Sequence, residues 1–178
     1  MRLRTATVLL AALGLLTTAC SDNKKPQTLP SLTPTPTATA APVAIPSAAT
    51  PATAQGADAF VRFFFTQLNA AFSDSNAGLL SGLIDPACGT CANYVRALRA
   101  DPAQVIQGPS FSVATVAAAP VESGGSYVEV VGTIPARKLV DRAGRVIREL
   151  PAEGRFHFTV AALRTSNGWV VRAIRIDK

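Results

Sequence analysis

A long stretch of low sequence complexity confines the folded part of this chain to roughly its last 120 residues. Residues 21–55 are mainly proline, threonine, alanine and serine, with seven of the thirteen prolines and no aromatic side chain. Such a segment buries too little apolar surface to offset the conformational entropy lost on folding. We therefore expect residues 20–55 to be a disordered tether, able to reach on the order of 100 Å when extended. Residues 56–178 are then predicted to form one domain.

The first residues of the chain have the pattern of an export signal. Arg2 and Arg4 give a short positive segment, and residues 7–16 form an apolar run without charge. A run of this length is typical of a signal peptide and is too short to span a bilayer.

Cys20 follows this apolar run directly after the small residue Ala19. The arrangement resembles the lipobox of bacterial lipoproteins, although Thr17 stands where that pattern usually has leucine. The resemblance implies that residues 1–19 are a signal peptide and that lipid on Cys20 holds the exported protein at the outer face of the cytoplasmic membrane. Cleavage after Ala19 without lipid, which gives a secreted soluble protein, is the alternative.

The other two cysteines, Cys88 and Cys91, have the C-x-x-C spacing. That spacing permits a structural disulfide, a redox centre of the thioredoxin type, or half of a zinc site. A close pair outside the cytoplasm usually oxidises, and this motif lies between two predicted helices after Asp85 and Pro86. We therefore expect a structural disulfide, and no metal site, since His157 is the only histidine.

The first part of the domain has the apolar spacing of helices. Residues 57–73 place large apolar side chains four residues apart, which gives one broad apolar face. These side chains are Phe60, Phe64, Leu68 and Phe72. Shorter helices are predicted at 77–83 and at 91–100, the second capped by Thr90.

The pattern after Gly108 changes to that of β-strands. Strands are predicted at 110–118, 127–134, 155–164 and 169–176, and a hairpin at 137–149 turns at 141–144. In the 155–164 strand, alternation turns Phe156, Phe158, Val160 and Ala162 inward. Helices followed by an antiparallel meander predict an α+β fold in which the helices pack on one face of the sheet.

This order of elements, ending in Asn167-Gly168-Trp169-Val170-Val171, resembles the nuclear-transport-factor-2-like or cystatin-like cone fold. Residues 56–64, 68–71 and 88–94 are similar to an uncharacterised family of actinobacterial lipoprotein domains. The resemblance implies a curved antiparallel sheet around the helices. Because proteins of this fold include ligand carriers, interaction modules and enzymes, the fold implies a pocket and no particular chemistry.

The candidate residues for lining such a pocket come from the first helix, the third helix and the second strand. They are Phe60, Phe64, Leu68, Tyr94 and Tyr127. The sequence has no Ser-His-Asp set, phosphate-binding loop, metal cluster or convincing carboxylate pair. We therefore expect no catalytic residue and no cofactor.

Three functions agree with these features. The first is a non-catalytic binding domain in the cell envelope, with a protein or wall component as its partner. The others are a carrier of a small apolar ligand in the cone and an enzyme of the isomerase or lyase type. The tether, the predicted anchor and the lack of a catalytic set favour the first. The basic residues that give the net charge of +6 are interspersed with acidic residues. We expect no nucleic-acid partner. A homodimer through the sheet is a further candidate.

Overall fold

A computed structural model of the chain describes residues 43–177. The predicted signal peptide, Cys20 and the first part of the predicted tether therefore lie outside the described residues. Two α-helices are present in the described part, α1 (Ala54–Asp74) and α2 (Gly89–Ala100), with single 3₁₀ turns at Ser47–Ala49 and Ala77–Leu80. The strands are β1 (Gln104–Gln107), β2 (Ser112–Ala118), β3 (Gly125–Ile134), β4 (Arg137–Asp141), β5 (Val146–Leu150), β6 (Gly154–Thr165) and β7 (Gly168–Ile176).

Helix α1 forms where the apolar spacing predicts it and begins three residues earlier. The hydroxyl of Thr53 caps the helix, because it accepts a hydrogen bond of 3.1 Å from the backbone N–H of Gly56. The helix ends at Ser75, whose left-handed backbone conformation stops further helical hydrogen bonding. No helix of residues 43–177 is long and apolar enough to cross a membrane.

The two shorter helices differ in part from the prediction. The segment predicted as a helix at 77–83 is only a 3₁₀ turn that ends at Leu80, and Gly82 follows with a left-handed backbone (φ +77°). Helix α2 is confirmed, but its cap is Cys88 and not Thr90. The Thr90 hydroxyl instead donates a hydrogen bond of 3.0 Å to the carbonyl oxygen of Ile174 in β7, which ties the helix to the sheet.

The strands form two antiparallel sheets. The larger sheet has the order β2-β3-β6-β7 and the smaller has the order β1-β4-β5. The hairpin predicted over 137–149 is confirmed as β4 and β5, and its turn is closed by Asp141, whose carboxylate accepts hydrogen bonds from the backbone N–H groups of Ala143 and Arg145. Strand β1 was not predicted, because a four-residue strand is too short to show a clear alternation.

The helices pack on one face of the larger sheet and form the core with it. The predicted inward row of β6 is confirmed, since all four of its side chains are buried. Gly132 of β3 makes room for the ring of Phe156, because a Cβ atom at this position would lie 2.6 Å from the ring's Cζ atom. The structure therefore confirms the predicted α+β fold, with helices packed on one face of an antiparallel sheet.

Residues 43–55 pack against the domain, which corrects the predicted end of the tether. The buried indole of Trp169 donates a hydrogen bond of 2.9 Å to the carbonyl oxygen of Pro51. Arg164 donates one of 2.7 Å to the carbonyl oxygen of Thr50, and Ala49 is buried in the core. The boundary predicted at residue 56 is therefore wrong, because the contacts that order this segment come from the distant β6–β7 hairpin.

Candidate binding surface

Three of the five candidate pocket residues belong to the packed core. Phe60, Phe64 and Leu68 lie on the buried face of α1 and have no solvent-exposed surface. Such side chains touch protein neighbours on every side, as close-packed interiors require. They are packing residues of the fold and do not line an open pocket.

A cluster of aromatic rings fills the space between α1 and the larger sheet. Phe65 of α1 stacks over Phe156 and Phe158 of β6, with ring centroids 6.4 and 6.3 Å apart. Phe111 meets the same two rings edge-on at 5.9 and 6.2 Å. These distances lie in the range of favourable aromatic pairs, so the side of the sheet that the resemblance implied as a ligand cone is occupied here by side chains.

Tyr94 lies at the margin of this cluster. Its ring meets Phe72 edge-on at 6.1 Å and Phe111 at 6.0 Å. Burial raises the pKa of its phenol above the usual value of 10.0. The phenol is therefore protonated at neutral pH, and the two edge-on ring contacts are those of a packing residue.

Tyr127 lies on the opposite side of the sheet from the core. Its neighbour Val128 and the next inward residue, Val130, are fully buried, whereas 68% of Tyr127 is exposed. Because side chains alternate along a strand, Tyr127 and Glu129 share the outer face of the larger sheet. The candidate pocket residues are therefore divided between the core, its margin and the outer face, and they form no common site.

Tyr127 stands between two adjoining clefts on this outer face. One cleft has a volume of about 290 Å³ and the other of about 550 Å³. We call the two together the outer groove. Small residues of β2, β3, β6 and the segment after β2 line much of it. Those on the outer face are Ala117, Ala119, Gly125 and Ala161, with Pro120 and Leu163 beside them.

Charged side chains of both signs border the outer groove. Glu129 and Arg175 line one cleft, and Arg175 also contacts Asp177 at 3.2 Å. The hydroxyl of Thr159 donates a hydrogen bond of 2.6 Å to Asp177 and lowers the pKa of that carboxyl, as the Arg175 guanidinium also does. The acid is thus held ionised, which suits an ion pair at the rim and does not suit a general acid.

The sequence already contained the signal for this face. Side-chain alternation along 127–134 predicts Val128 and Val130 on one face and Tyr127 and Glu129 on the other. The resemblance to a cone with an internal pocket predicts that Tyr127 lines the pocket, whereas Tyr127 lies on the outer face of the larger sheet. The alternation of β6 also turns Thr159 outward, between the inward residues Phe158 and Val160. Nothing in the sequence shows which strand brings Arg175 beside it.

Cys88 and Cys91 form a disulfide at the start of α2, with their Cα atoms 5.2 Å apart. Both cysteines are buried. Cys88 occupies a helix N-terminus, as redox cysteines often do, but it follows a turn and not a strand, and burial keeps a thiol partner away. Together with the Thr90 hydrogen bond, the disulfide fixes the first turn of α2 against β7. Among the described residues, no group of three His, Cys, Asp or Glu side chains is placed to hold a metal ion.

Comparisons with known proteins give the fold and no activity. No protein family matches the sequence, and no curated protein matches it. The structure is similar to the intermembrane space region of chloroplast protein ARC6, with a TM-score of 0.53 and 12% identity over 69% of this chain and 95% of that chain. At this identity the likeness shows a shared fold alone.

Two other solved structures give lower scores. A protein with a cystatin-like fold from Caulobacter vibrioides has a TM-score of 0.42 and 12% identity, over 66% of this chain and 87% of that chain. A nuclear-transport-factor-2-like protein of unknown function from Pseudomonas putida KT2440 has a TM-score of 0.44 and 10% identity, over 70% of this chain and 88% of that chain.

Proposed function

We propose that this protein is a non-catalytic binding module of the cell envelope, and that it binds a protein partner through the outer groove. The observation that carries the proposal is the exposure of Tyr127 between two clefts floored by small side chains. An exposed tyrosine offers a large contact area at a low entropy cost and is enriched in protein interfaces. Clefts beside it give the partner's side chains places to enter.

The rim of the outer groove suits the same use. Glu129 and Arg175 at one cleft and Arg172 at the other present both charges around an apolar floor. Interfaces commonly combine an apolar centre with a polar rim, and the rim charges set orientation and partner choice more than affinity. A partner with one basic and one acidic group flanking an apolar side chain would match this surface.

The filled interior favours a binding surface over the two alternatives. A carrier of a small apolar ligand needs an open cavity, whereas Phe65, Phe156 and Phe158 stack together where that cavity would lie. An enzyme of the isomerase or lyase type needs a base inside the cone. The inward positions of β6 are filled by phenylalanine, valine and alanine.

We also propose that the module is exported and tethered to the membrane by lipid on Cys20. The support is the sequence alone: an apolar segment at 7–16, the pair Ala19-Cys20, and a proline-rich stretch before the domain. The disulfide between Cys88 and Cys91 agrees with an oxidising compartment. A folded domain on a long spacer could then reach partners away from the bilayer.

A photo-crosslinking amino acid at position 127 tests the binding surface in living cells. We expect a discrete crosslinked product that contains a second protein. The matched control places the same amino acid at position 96, which is exposed on α2, and there the product should be absent. The same product at both positions, or only self-crosslinked protein at position 127, would contradict the proposal.

Metabolic labelling tests the anchor separately. Labelled palmitate should be incorporated into the wild-type protein and lost in Cys20→Ser, while the crosslink at position 127 persists in the exported variant. If Cys20→Ser retains the label, the proposed lipid site is wrong.

A further inference from the structure

The β4–β5 hairpin carries an exposed apolar pair at the edge of the smaller sheet. Strand β5 pairs only with β4 in the described structure, so its other edge has no neighbouring strand. Val146 and Ile147 are each 51% exposed, among the most exposed large apolar side chains of the described residues. In the pairing of β4 with β5, Val146 pairs with Val140 and Ile147 has no partner of its own. Two residues of β5 therefore lie opposite one residue of β4, as in a β-bulge.

Positive charge surrounds this pair. Residues 137–150 contain five basic and two acidic side chains. Arg145 is 84% exposed and forms an ion pair with Asp141, and Arg148 is exposed without an ion pair among residues 43–177. Arg142 is exposed too and donates hydrogen bonds only to the backbone oxygen of Pro102. The hairpin therefore keeps a surplus of positive charge beside its apolar pair.

We propose that this hairpin docks on an anionic phospholipid surface. Val146 and Ile147 would enter the interfacial layer of the bilayer, and the guanidinium groups of Arg145 and Arg148 would contact lipid phosphates. Charged side chains beside half-exposed apolar ones are the combination by which interfacial segments bind membranes. A soluble polyanion would engage the arginines and leave the apolar pair in water, so the pair favours a bilayer.

The same features argue against a second β-strand at this edge. A bulge and exposed arginines are devices by which edge strands resist pairing with another chain. The docking surface lies in the smaller sheet, whereas the outer groove lies in the larger one. Membrane docking by the hairpin is therefore a separate activity that does not depend on the proposed protein partner, although in the cell it rests on the proposed anchor at Cys20 to bring the domain near the bilayer.

Each group makes a contribution that vesicle binding can measure. One arginine near an anionic surface changes the partition constant about fivefold. Burying the exposed half of an isoleucine side chain changes it by a similar factor, about fivefold. The total is weak for a free domain and would be effective for a domain already held close to the membrane.

The experiment uses residues 21–178, which omit the apolar segment at 7–16 and contain the whole described core. Sedimentation with vesicles of phosphatidylglycerol and phosphatidylcholine should give binding that falls steeply as salt is added. Vesicles of phosphatidylcholine alone should bind at least an order of magnitude less, because two arginines lose their partners.

Two variants and one control separate the contributions. Arg148→Gln should weaken binding to the anionic vesicles about fivefold, and Ile147→Ser should weaken binding by a similar amount, about fivefold. Arg96→Gln removes the same charge from α2 and should change binding only slightly. Both hairpin side chains are exposed, and circular dichroism confirms that the variants are folded.

Several outcomes would overturn the proposal. One is equal binding to both kinds of vesicle, and another is equal weakening by Arg148→Gln and Arg96→Gln, since a general charge effect would then suffice. Binding that Ile147→Ser leaves unchanged would also overturn it, because a purely electrostatic polyanion site would explain that result. None of these outcomes bears on the crosslink at position 127, so the two proposals fail independently.

Discussion

Deletion of residues 43–53 tests the claim that the folded domain begins before the helix. A fragment that starts at Ala54 keeps all of α1 and both sheets. It loses Pro51, whose carbonyl oxygen accepts the hydrogen bond from the Trp169 indole. It also loses Thr53, the cap of α1, and the buried Ala49.

The expected loss of stability follows from these contacts. Loss of the Trp169 hydrogen bond costs about 0.5–1.5 kcal/mol, and loss of a helix cap costs about 1 kcal/mol. The deletion should therefore lower the free energy of unfolding by about 1.5–2.5 kcal/mol, a sizeable part of the usual total of about 5–15 kcal/mol. Any packing lost around Ala49 adds to this.

Urea unfolding followed by circular dichroism measures the difference directly. Trp169 is the only tryptophan of the chain, so its fluorescence emission reports on this contact and should shift to longer wavelength in the fragment. The control fragment begins at residue 43 and should match a longer chain that begins at residue 21. Equal midpoints and equal emission for the fragments starting at 43 and 54 would show that residues 43–53 do not stabilise the domain.

Three further predictions follow from local contacts. Replacing both Cys88 and Cys91 by serine should lower the free energy of unfolding by about 2 kcal/mol in urea titrations without changing the circular dichroism spectrum. Hydrogen bonds from the Arg145 backbone lower the pKa of Asp141, so its contribution to stability is present at neutral pH and is lost as pH falls below about 4. Melting temperatures of Asp141→Asn should accordingly depend less on pH between about 5 and 3. Gly132→Ala should cost about 1–3 kcal/mol in the same titrations, because its Cβ atom would overlap the Phe156 ring and the backbone of β2.

Strands and helices were predictable where the apolar pattern was long. The four-residue spacing of phenylalanines gave α1, and strict alternation gave β6 with its inward row. The turn at 141–144 predicts the hairpin, because the Asp141 carboxylate accepts a backbone hydrogen bond and Gly144 adopts a left-handed backbone conformation. Shorter elements are harder to predict, because a few residues carry too little periodicity. The sequence does not indicate β1, and the segment 77–83, predicted as a helix, forms only a 3₁₀ turn.

The position of the candidate site was harder to predict. The resemblance to a cone predicts a shared pocket for Phe60, Phe64 and Tyr127, although the apolar patterns of their own elements place the first two inward and the third outward. The rings that fill the interior are determined by the packing of β6 against α1 and Phe111. These residues are far apart in the sequence, so local patterns do not predict their contacts.

The α+β class, the inward face of each long element and the cysteine pair follow from the sequence, since each depends on neighbouring residues and elementary geometry. Three other features depend on the tertiary structure. Phenylalanine rings fill the interior, Tyr127 lies exposed at the outer groove, and residues 43–55 pack against the β6–β7 hairpin. Each is a contact between distant segments, and the decisive example is Pro51. Its carbonyl oxygen is ordered by the Trp169 indole 118 residues away, which no composition of the segment around Pro51 could reveal.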